Sequence, residues 1–343
     1  MLQLTPTEPK PTERIALSVV IPLYNEEDNV APLCKALLEA LTAQPRPFEI
    51  ILVNDGSADR TEQKLAEAAA TDARIRVVNF RSNKGQTAAM MAGIDYAGGE
   101  VIVPMDGDLQ NDPKDIARLL EKLEEGFDVV SGWRRDRQDN FMIRTLPSKI
   151  ANLVISRVSG VPLHDYGCSL KAYRREVLQG FRLYGEMHRF IPIYAAAQGA
   201  RVTELPVTHH PRQFGQSKYG LNRTIKVLLD LLVVKFLTKY RTRPIYLFGQ
   251  AAVSLLALSF LVGLWALYLK FVEDVSFVST PLPLLTSLCF ISGLMCLLMG
   301  LLAELVMRVY YESQSKTDYR IKSIVNPRPG ETGENAPLPP TRN

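Results

Sequence analysis

The chain has 343 residues, 47% of them hydrophobic and 22% charged, with a net charge of +4. That length allows one large domain or two smaller ones, the composition is ordinary for a globular protein, and no nucleic-acid partner is expected. The four cysteines (Cys34, Cys168, Cys289 and Cys296) fit no zinc spacing, and a cytoplasmic domain would keep them reduced.

In chain order, residues 1–14 are polar and Pro-rich and read as a disordered leader; the first apolar run, Ile15–Leu23, lacks a small-residue cleavage site, so no signal peptide is expected. "IALSVVIPLY" is a strand, and "EEDNVAPLCKALLEAL" has helical spacing with acidic residues in its first turn. "FEIILVNDGS", "IRVVNF", "EVIVPMDGD" and "FDVVSGW" are further strands, separated by helices in "ADRTEQKLAEAAA", "QTAAMMAGIDYA" and residues 114–125. This alternation with short connections predicts an α/β fold, a mostly parallel sheet with helices on both faces. Ligands of such sheets bind beyond the carboxyl ends of the strands. Those ends here are Tyr24-Asn25-Glu26, Asn54-Asp55-Gly56-Ser57, Arg81–Gly85 and Asp106-Gly107-Asp108. Polar ends converging on one edge suggest a site. Neither the dinucleotide fingerprint nor a P-loop is present.

Past residue 140, "RTLPSKIANLVISRVSG" reads as a basic helix and "HDYGCSLKAYRREVL" as a polar turn leading to a helix. "RVTELPVTHHPRQFGQSKYG" reads as a strand followed by a basic loop. His209 and His210 have no third ligand spaced nearby and read as loop residues. Residues 245–269 and 275–303 contain no charged side chain, longer than the roughly 20 residues that cross a bilayer of about 30 Å. Lys235, Lys239, Arg241 and Arg243 precede the first span, and Arg308, Lys316, Arg320 and Lys322 follow the second. The positive-inside rule then puts both termini and the large N-terminal region in the cytoplasm, as an integral plasma-membrane protein. The expected organisation is a leader 1–14, a catalytic domain 15–218, amphipathic surface helices 219–243, spans 244–270 and 280–308, and a tail 309–343 whose Pro-rich end reads as disordered. Gly263, Gly293 and Gly300 would permit close helix packing, which leaves a homo-oligomer open.

Asp106 and Asp108 alternate with Gly107, so at a strand end both carboxylates can reach one centre. Two close carboxylates repel unless a cation sits between them, and Mg²⁺ or Mn²⁺ suits oxygen ligands completed by substrate phosphates. In isolation the pattern is weak, because Asp-Gly is common in turns.

The segments "VVIPLYNEEDNV", "ILVNDGSADRT", "RSNKGQTAAMMAGIDYAGGEVIVPMDGDLQNDP" and "GCSLKAYRREV" together resemble the family-2 glycosyltransferases, in particular the dolichol-phosphate mannose synthase and bactoprenol (undecaprenyl-phosphate) glucosyltransferase branch. The resemblance covers about residues 16–240, and it implies the GT-A nucleotide-diphospho-sugar-binding fold with a two-helix transmembrane hairpin after it. Carried over by position, it implies that Pro22, Tyr24 and Glu26 border the base and ribose, with Asp55 contacting one of them. Asp106 and Asp108 would border diphosphate and metal, with Gln110 completing the metal site, and Lys84 would lie on the phosphate side. Arg134 would touch the sugar-diphosphate, Arg144 and Ser148 resemble an acceptor-phosphate pair, and Arg212 and Lys218 lie in a loop that closes over donor and lipid phosphate. The QxxRW motif of the processive branch is absent, which argues for a single transfer.

The implied reaction takes one hexose, glucose by the branch default, from a nucleotide sugar such as UDP-glucose to a polyisoprenyl phosphate at the membrane. A lipid monophosphate is already anionic, so an inverting displacement needs charge neutralisation and aim rather than a base. Asp165 is the candidate if a base or positioning carboxylate exists; otherwise it caps the turn "HDYG". GDP-mannose as donor, and a non-catalytic lipid-binding scaffold on a degenerate transferase fold, are the alternatives.

Overall fold

The structure is a computed structural model that describes residues 15–135, 146–178, 187–211, 245–312 and 319–328. It divides into two compact units, residues 1–234 with 317–343, and residues 235–316.

In the first unit the strands are β1 (Leu17–Leu23), β2 (Phe48–Asn54), β3 (Ile75–Phe80), β4 (Val101–Pro104), β5 (Val129–Trp133), β6 (Lys171–Arg174), β7 (Val202–Pro206) and β8 (Ile321–Val325). The helices are α1 (Val30–Thr42), α2 (Thr61–Thr71), α3 (Gln86–Tyr96), α4 (Asp115–Glu124), α5 (Leu146–Ser159) and α6 (Ile191–Ala197). One eight-stranded sheet runs β7-β5-β6-β4-β1-β2-β3-β8. The pairs β1–β2, β1–β4, β2–β3 and β5–β7 are parallel. Two departures from the expected alternation matter. The segment "KAYR", within the stretch read as a polar turn leading to a helix, is the antiparallel strand β6, and it separates β4 from β5. Part of the expected tail is the antiparallel edge strand β8.

The central strands are apolar at nearly every position because both faces are covered. Val19, Ile21, Ile50, Leu52, Ile75 and Val77 face one cluster, which Leu33 and Leu37 of α1, Leu65 of α2 and Leu119 and Leu123 of α4 complete. The intervening positions face α3: a Cβ on Gly93 would lie 2.1 Å from Val20 and 3.3 Å from Val53, so this glycine lets the helix lie against the strands.

The second unit is a pair of helices, α7 (Ile245–Val272) and α8 (Leu282–Glu312). Phe248–Val272 and Leu282–Ala303 are long and apolar enough to cross a membrane, each with a mean hydropathy of 2.2. Large apolar side chains such as Phe260, Leu261, Trp265 and Phe271 are exposed along α7. Between the helices, Ser259 Oγ donates to the Thr286 carbonyl at 2.8 Å, and Gly293 faces Leu256 too closely for a Cβ, so the small residue lets the two helices approach.

After this pair the chain returns to the first unit's sheet. Tyr319 stacks on Phe80 at 5.1 Å and donates to Asp95, while Asn326 Nδ2 donates to the carbonyls of Ala69 and Ile75. At the amino-terminal edge of the sheet, Glu49 is buried between Arg76 at 2.9 Å, the Ser18 hydroxyl and Arg328. Burial opposes ionisation of Glu49, but the Ser18 hydrogen bond and the Arg328 and Arg76 charges hold its carboxyl below the ordinary range. Removing one member of a buried pair strands the other charge. Glu49→Ala is therefore expected to lower the unfolding free energy by about 3–5 kcal/mol, whereas Lys322→Ala, which removes the exposed partner of Glu62, should change it by about 0–1 kcal/mol. Chemical denaturation of the purified variants followed by circular dichroism checks both.

Candidate active site

At the carboxyl end of the sheet, β1, β2 and β4 deliver their polar ends side by side because they are parallel and in register. Pro22 pairs with Val53, and Asn54 lies opposite Leu23. Beyond Leu23 the chain turns through Asn25 at φ 52°, leaving Tyr24 exposed and Glu26 half-buried. Glu26 accepts from the Asn29 side chain, and its own N–H donates to Thr61 Oγ1.

Asp55 is buried just past β2. Its two carboxylate oxygens accept from the backbone N–H groups of Lys84 at 2.7 Å and Gly85 at 2.9 Å. Burial raises its pKa, with those two bonds opposing. Asp55 therefore fastens the segment after β3 to the end of β2. Gly56 makes this approach possible: its φ is +64°, and a Cβ there would lie 2.6 Å from the backbone of Ser82 and Asn83. The Lys84 side chain is exposed.

The next residue after that segment starts α3, and its side chain points back to the acid pair: Gln86 Nε2 donates to Asp106 Oδ1 at 2.7 Å. The Ser169 hydroxyl also bonds Asp106 and accepts from Asn111 Nδ2 at 2.9 Å. Asp106 is half-buried and Asp108 buried. Burial first, and then the charge of Asp108, raise the Asp106 carboxyl above the usual range, while Ser169, Arg134 and Arg189 act in the opposite sense. Leu109 takes the left-handed conformation at φ 61°, and the Gln110 N–H donates to Asp108 at 3.2 Å. A left-handed bulky residue costs about 1–3 kcal/mol and persists only where its surroundings enforce it.

Antiparallel β6 explains the third side of the site. A strand running against β4 and β5 begins where they end, so the turn before Lys171 lies beside Asp106. In that turn Asp165 is buried and holds Arg134 in a fork, Nε to Oδ2 at 2.7 Å and Nη2 to Oδ1 at 3.0 Å, while Gly167 N–H donates to Oδ1 at 3.0 Å. Both oxygens of Asp165 are thus engaged. Buried Lys171 donates to the carbonyls of Tyr166, at 3.2 Å, and Cys168, bracing the turn; burial brings its pKa down to about 8.

Past β7, Thr208 N–H donates to Asp115 at 2.6 Å, His209 bridges Asn111, and His210 N–H donates to the Gln110 carbonyl at 2.8 Å. His209 and His210 are therefore at the site's border, more closely than a plain loop implies. Arg144, Arg212 and Lys218 lie outside the described residues. Ser148 is in α5, and its side chain is outside them as well. The structure brings together Asp106, Asp108, Gln110, Arg134 and Asp165 on one side and Tyr24, Glu26, Asp55 and Lys84 on the other. Gln86, Ser169, Lys171 and Arg189 are site residues that the sequence reading did not single out. For Gln86, Ser169 and Lys171 a signal existed, since they lie inside the quoted motifs "RSNKGQTAAM" and "GCSLKAYRREV".

No group of three or more His, Cys, Asp or Glu side chains that could hold a metal occurs among the described residues. The donor set is two repelling carboxylates, which fits Mg²⁺ or Mn²⁺ sharing its coordination with substrate phosphates, not a cation caged by protein.

A mostly parallel α/β sheet with an acidic pair and fastened loops at its open edge is the arrangement of the GT-A fold. The profile of "Glycosyl transferase family 2" matches residues 18–181. A "Dodecaprenyl-phosphate galacturonate synthase" of Rhizobium johnstonii is 42% identical over 92% of this chain and 94% of its own. An "Undecaprenyl-phosphate 4-deoxy-4-formamido-L-arabinose transferase" of Edwardsiella ictaluri is 37% identical over 90% and 94%. Among solved structures, a mannosyltransferase of Pyrobaculum calidifontis in complex with GDP-Man and Mn²⁺ overlays with a TM-score of 0.47 at 23% identity, over 70% of this chain and 68% of its own. The chain belongs to glycosyltransferase family 2 and is a glycosyltransferase.

Partners that orient a metal-binding carboxylate typically contribute about 10–100-fold to metal affinity. Gln86→Leu, which removes the donor to Asp106, is expected to weaken Mn²⁺ binding by about that factor, measured by electron paramagnetic resonance of the free ion.

Proposed function

We propose that this enzyme transfers one sugar residue from a nucleotide-diphospho-sugar to a polyisoprenyl phosphate at the membrane surface, with Mg²⁺ or Mn²⁺. The observation that carries this reading is the Asp106–Asp108 pair at the open sheet edge, buttressed by Gln86 and Ser169. The names of the two relatives, both polyprenyl-phosphate sugar enzymes matched over at least nine-tenths of this chain, support the acceptor. Neither name prints glucose, so the branch default loses support, and we take galacturonate, the sugar of the 42% identical relative, as the first candidate.

When bound, the cation would neutralise charge developing on the departing nucleoside diphosphate. Asp106 and Asp108 would hold it, with Gln110 adjacent. The acceptor phosphate oxygen attacks the anomeric carbon, the bond from that carbon to the diphosphate breaks, and configuration inverts. No proton needs removal. The engagement of both Asp165 oxygens supports this reading, since a carboxylate forked on Arg134 is a poor base and a good aligner of that guanidinium. From the resemblance, Arg144, Ser148, Arg212 and Lys218 would receive the lipid phosphate, and Tyr24, Glu26 and Asp55 the nucleoside.

Two considerations support an orientation. Both ends of the apolar helix pair join the sheet unit, so a membrane-crossing pair would enter and leave on one side. The basic residues flanking the pair favour the cytoplasmic side.

The test is transfer of label from a panel of nucleotide sugars to undecaprenyl phosphate by the purified full-length protein with Mn²⁺ or Mg²⁺. Transfer from at least one donor, abolished by chelation, is expected. Lack of transfer from every donor, or transfer to a hydroxyl acceptor alone, contradicts the proposal. Asp165→Asn should reduce kcat without removing a limb from the pH–rate profile; loss of a limb would restore the base.

A further inference from the structure

We propose that Arg189 is a phosphate-binding residue of the transfer site, whose guanidinium takes a substrate phosphoryl oxygen once a cation occupies Asp106 and Asp108. This rests on the reading of the site as one for phosphate-bearing substrates.

Arg189 belongs to a 3₁₀ turn, Met187–Phe190, that runs directly into α6. Met187, His188 and Phe190 are buried, and Arg189 is the member of the turn that keeps partial exposure. His188 Nδ1 is 2.7 Å from Thr87 Oγ1. Thr87 follows Gln86, the residue that donates to Asp106. The turn that carries Arg189 and the helix end that holds Asp106 are therefore tied together, and the buried members of the turn fix the backbone from which the half-exposed Arg189 projects.

Its direction can be read at Gly167. A Cβ there would lie 3.4 Å from Arg189 Nη1, 3.0 Å from Arg134 Nη2 and 3.4 Å from Asp165 Oδ1. Two guanidinium groups converge over a residue without a side chain. Arg134 is forked on Asp165. The charge of Arg189 acts on Asp106, where it favours the ionised carboxylate. Lys171, the third nearby cation, is committed to the Tyr166 and Cys168 carbonyls.

Arg189 thus lies beside Arg134 at Gly167 and lends positive charge to Asp106, one of the two carboxylates that would hold a divalent cation. Once that cation is bound, the carboxylates are neutralised and the two positive centres repel, so a dianionic phosphate beside them becomes the favourable counter-charge for Arg189. A guanidinium matches phosphoryl oxygens in planar, paired hydrogen bonds, which an ammonium cannot reproduce. The phosphate can come from the donor's diphosphate or from the lipid acceptor, and the experiment separates these sources.

Arg189→Gln and Arg189→Lys are compared with the wild type as full-length proteins in detergent, with unfolding temperatures recorded. Expected is a loss of about tenfold or more in kcat/KM for the Gln variant, partly restored by Lys, at an unchanged unfolding temperature. A rise in KM for the nucleotide sugar, with weaker calorimetric binding of Mn²⁺–UDP, assigns the donor diphosphate; a rise in KM for undecaprenyl phosphate, with weaker binding of a short prenyl phosphate, assigns the acceptor. Wild-type parameters for both substrates in the Gln variant overturn the proposal. So does a loss that follows a lowered unfolding temperature and that Lys restores no better than Gln. If the wild type transfers nothing, the proposed function fails, and the two binding measurements alone decide on Arg189: unchanged affinity for both probes in the Gln variant rejects it.

Discussion

Two carboxylates one residue apart, partly withdrawn from water, repel each other, and the architecture of the sheet edge is arranged around that repulsion. Left alone, Asp106 would be driven toward its protonated form by burial and by Asp108. Gln86 and Ser169 donate to it, and Arg134 and Arg189 lend it charge. These four residues come from α3, from the turn before β6, from the end of β5 and from the 3₁₀ turn before α6. That donors and charges from four separate elements converge on one carboxylate supports the proposal that the pair holds a cation.

The fold achieves this with one topological device. Parallel strands alone would bring only their carboxyl ends to the edge. Inserting β6 antiparallel between β4 and β5 brings the beginning of a strand there as well, and with it Asp165, Gly167 and Ser169. Lys171 stiffens the turn from below at the cost of a buried ammonium whose pKa falls to about 8. Asp55 works similarly on the other side, spending its carboxylate on the backbone of Lys84 and Gly85 so that Gln86 starts α3 in a fixed place. On both flanks an ionisable residue fixes backbone geometry, and a neighbour presents the polar group to the site.

Much of this was legible in the sequence. The first four strands and the helices between them follow from apolar runs separated by short polar connections, and the acid pair stands out because it ends one of those strands. What was not legible depends on long-range placement. "KAYR" is four residues long and polar at both ends, so its strand state comes from pairing with β4 and β5 and not from local pattern. "IKSIV" follows the apolar helices and looks like a tail, yet it closes the sheet edge against β3, where Ser323 accepts from Asn79 at 3.1 Å and Tyr319 covers Phe80. Arg189 sits in a basic, aromatic stretch with no motif of its own, and its place beside the acid pair depends on long-range contacts such as the His188–Thr87 bond.

The central claim is that Asp106 and Asp108 form a cation site that is completed by substrate phosphates. Titration of Mn²⁺ into the purified protein with and without UDP, followed by electron paramagnetic resonance, tests it most directly. Expected is weak binding of the ion alone, at least tenfold tighter binding (about 1.4 kcal/mol) when UDP is present, and loss of both in the Asp106→Asn, Asp108→Asn double variant. Mn²⁺ binding that is indifferent to UDP, or that survives in the double variant, would contradict it.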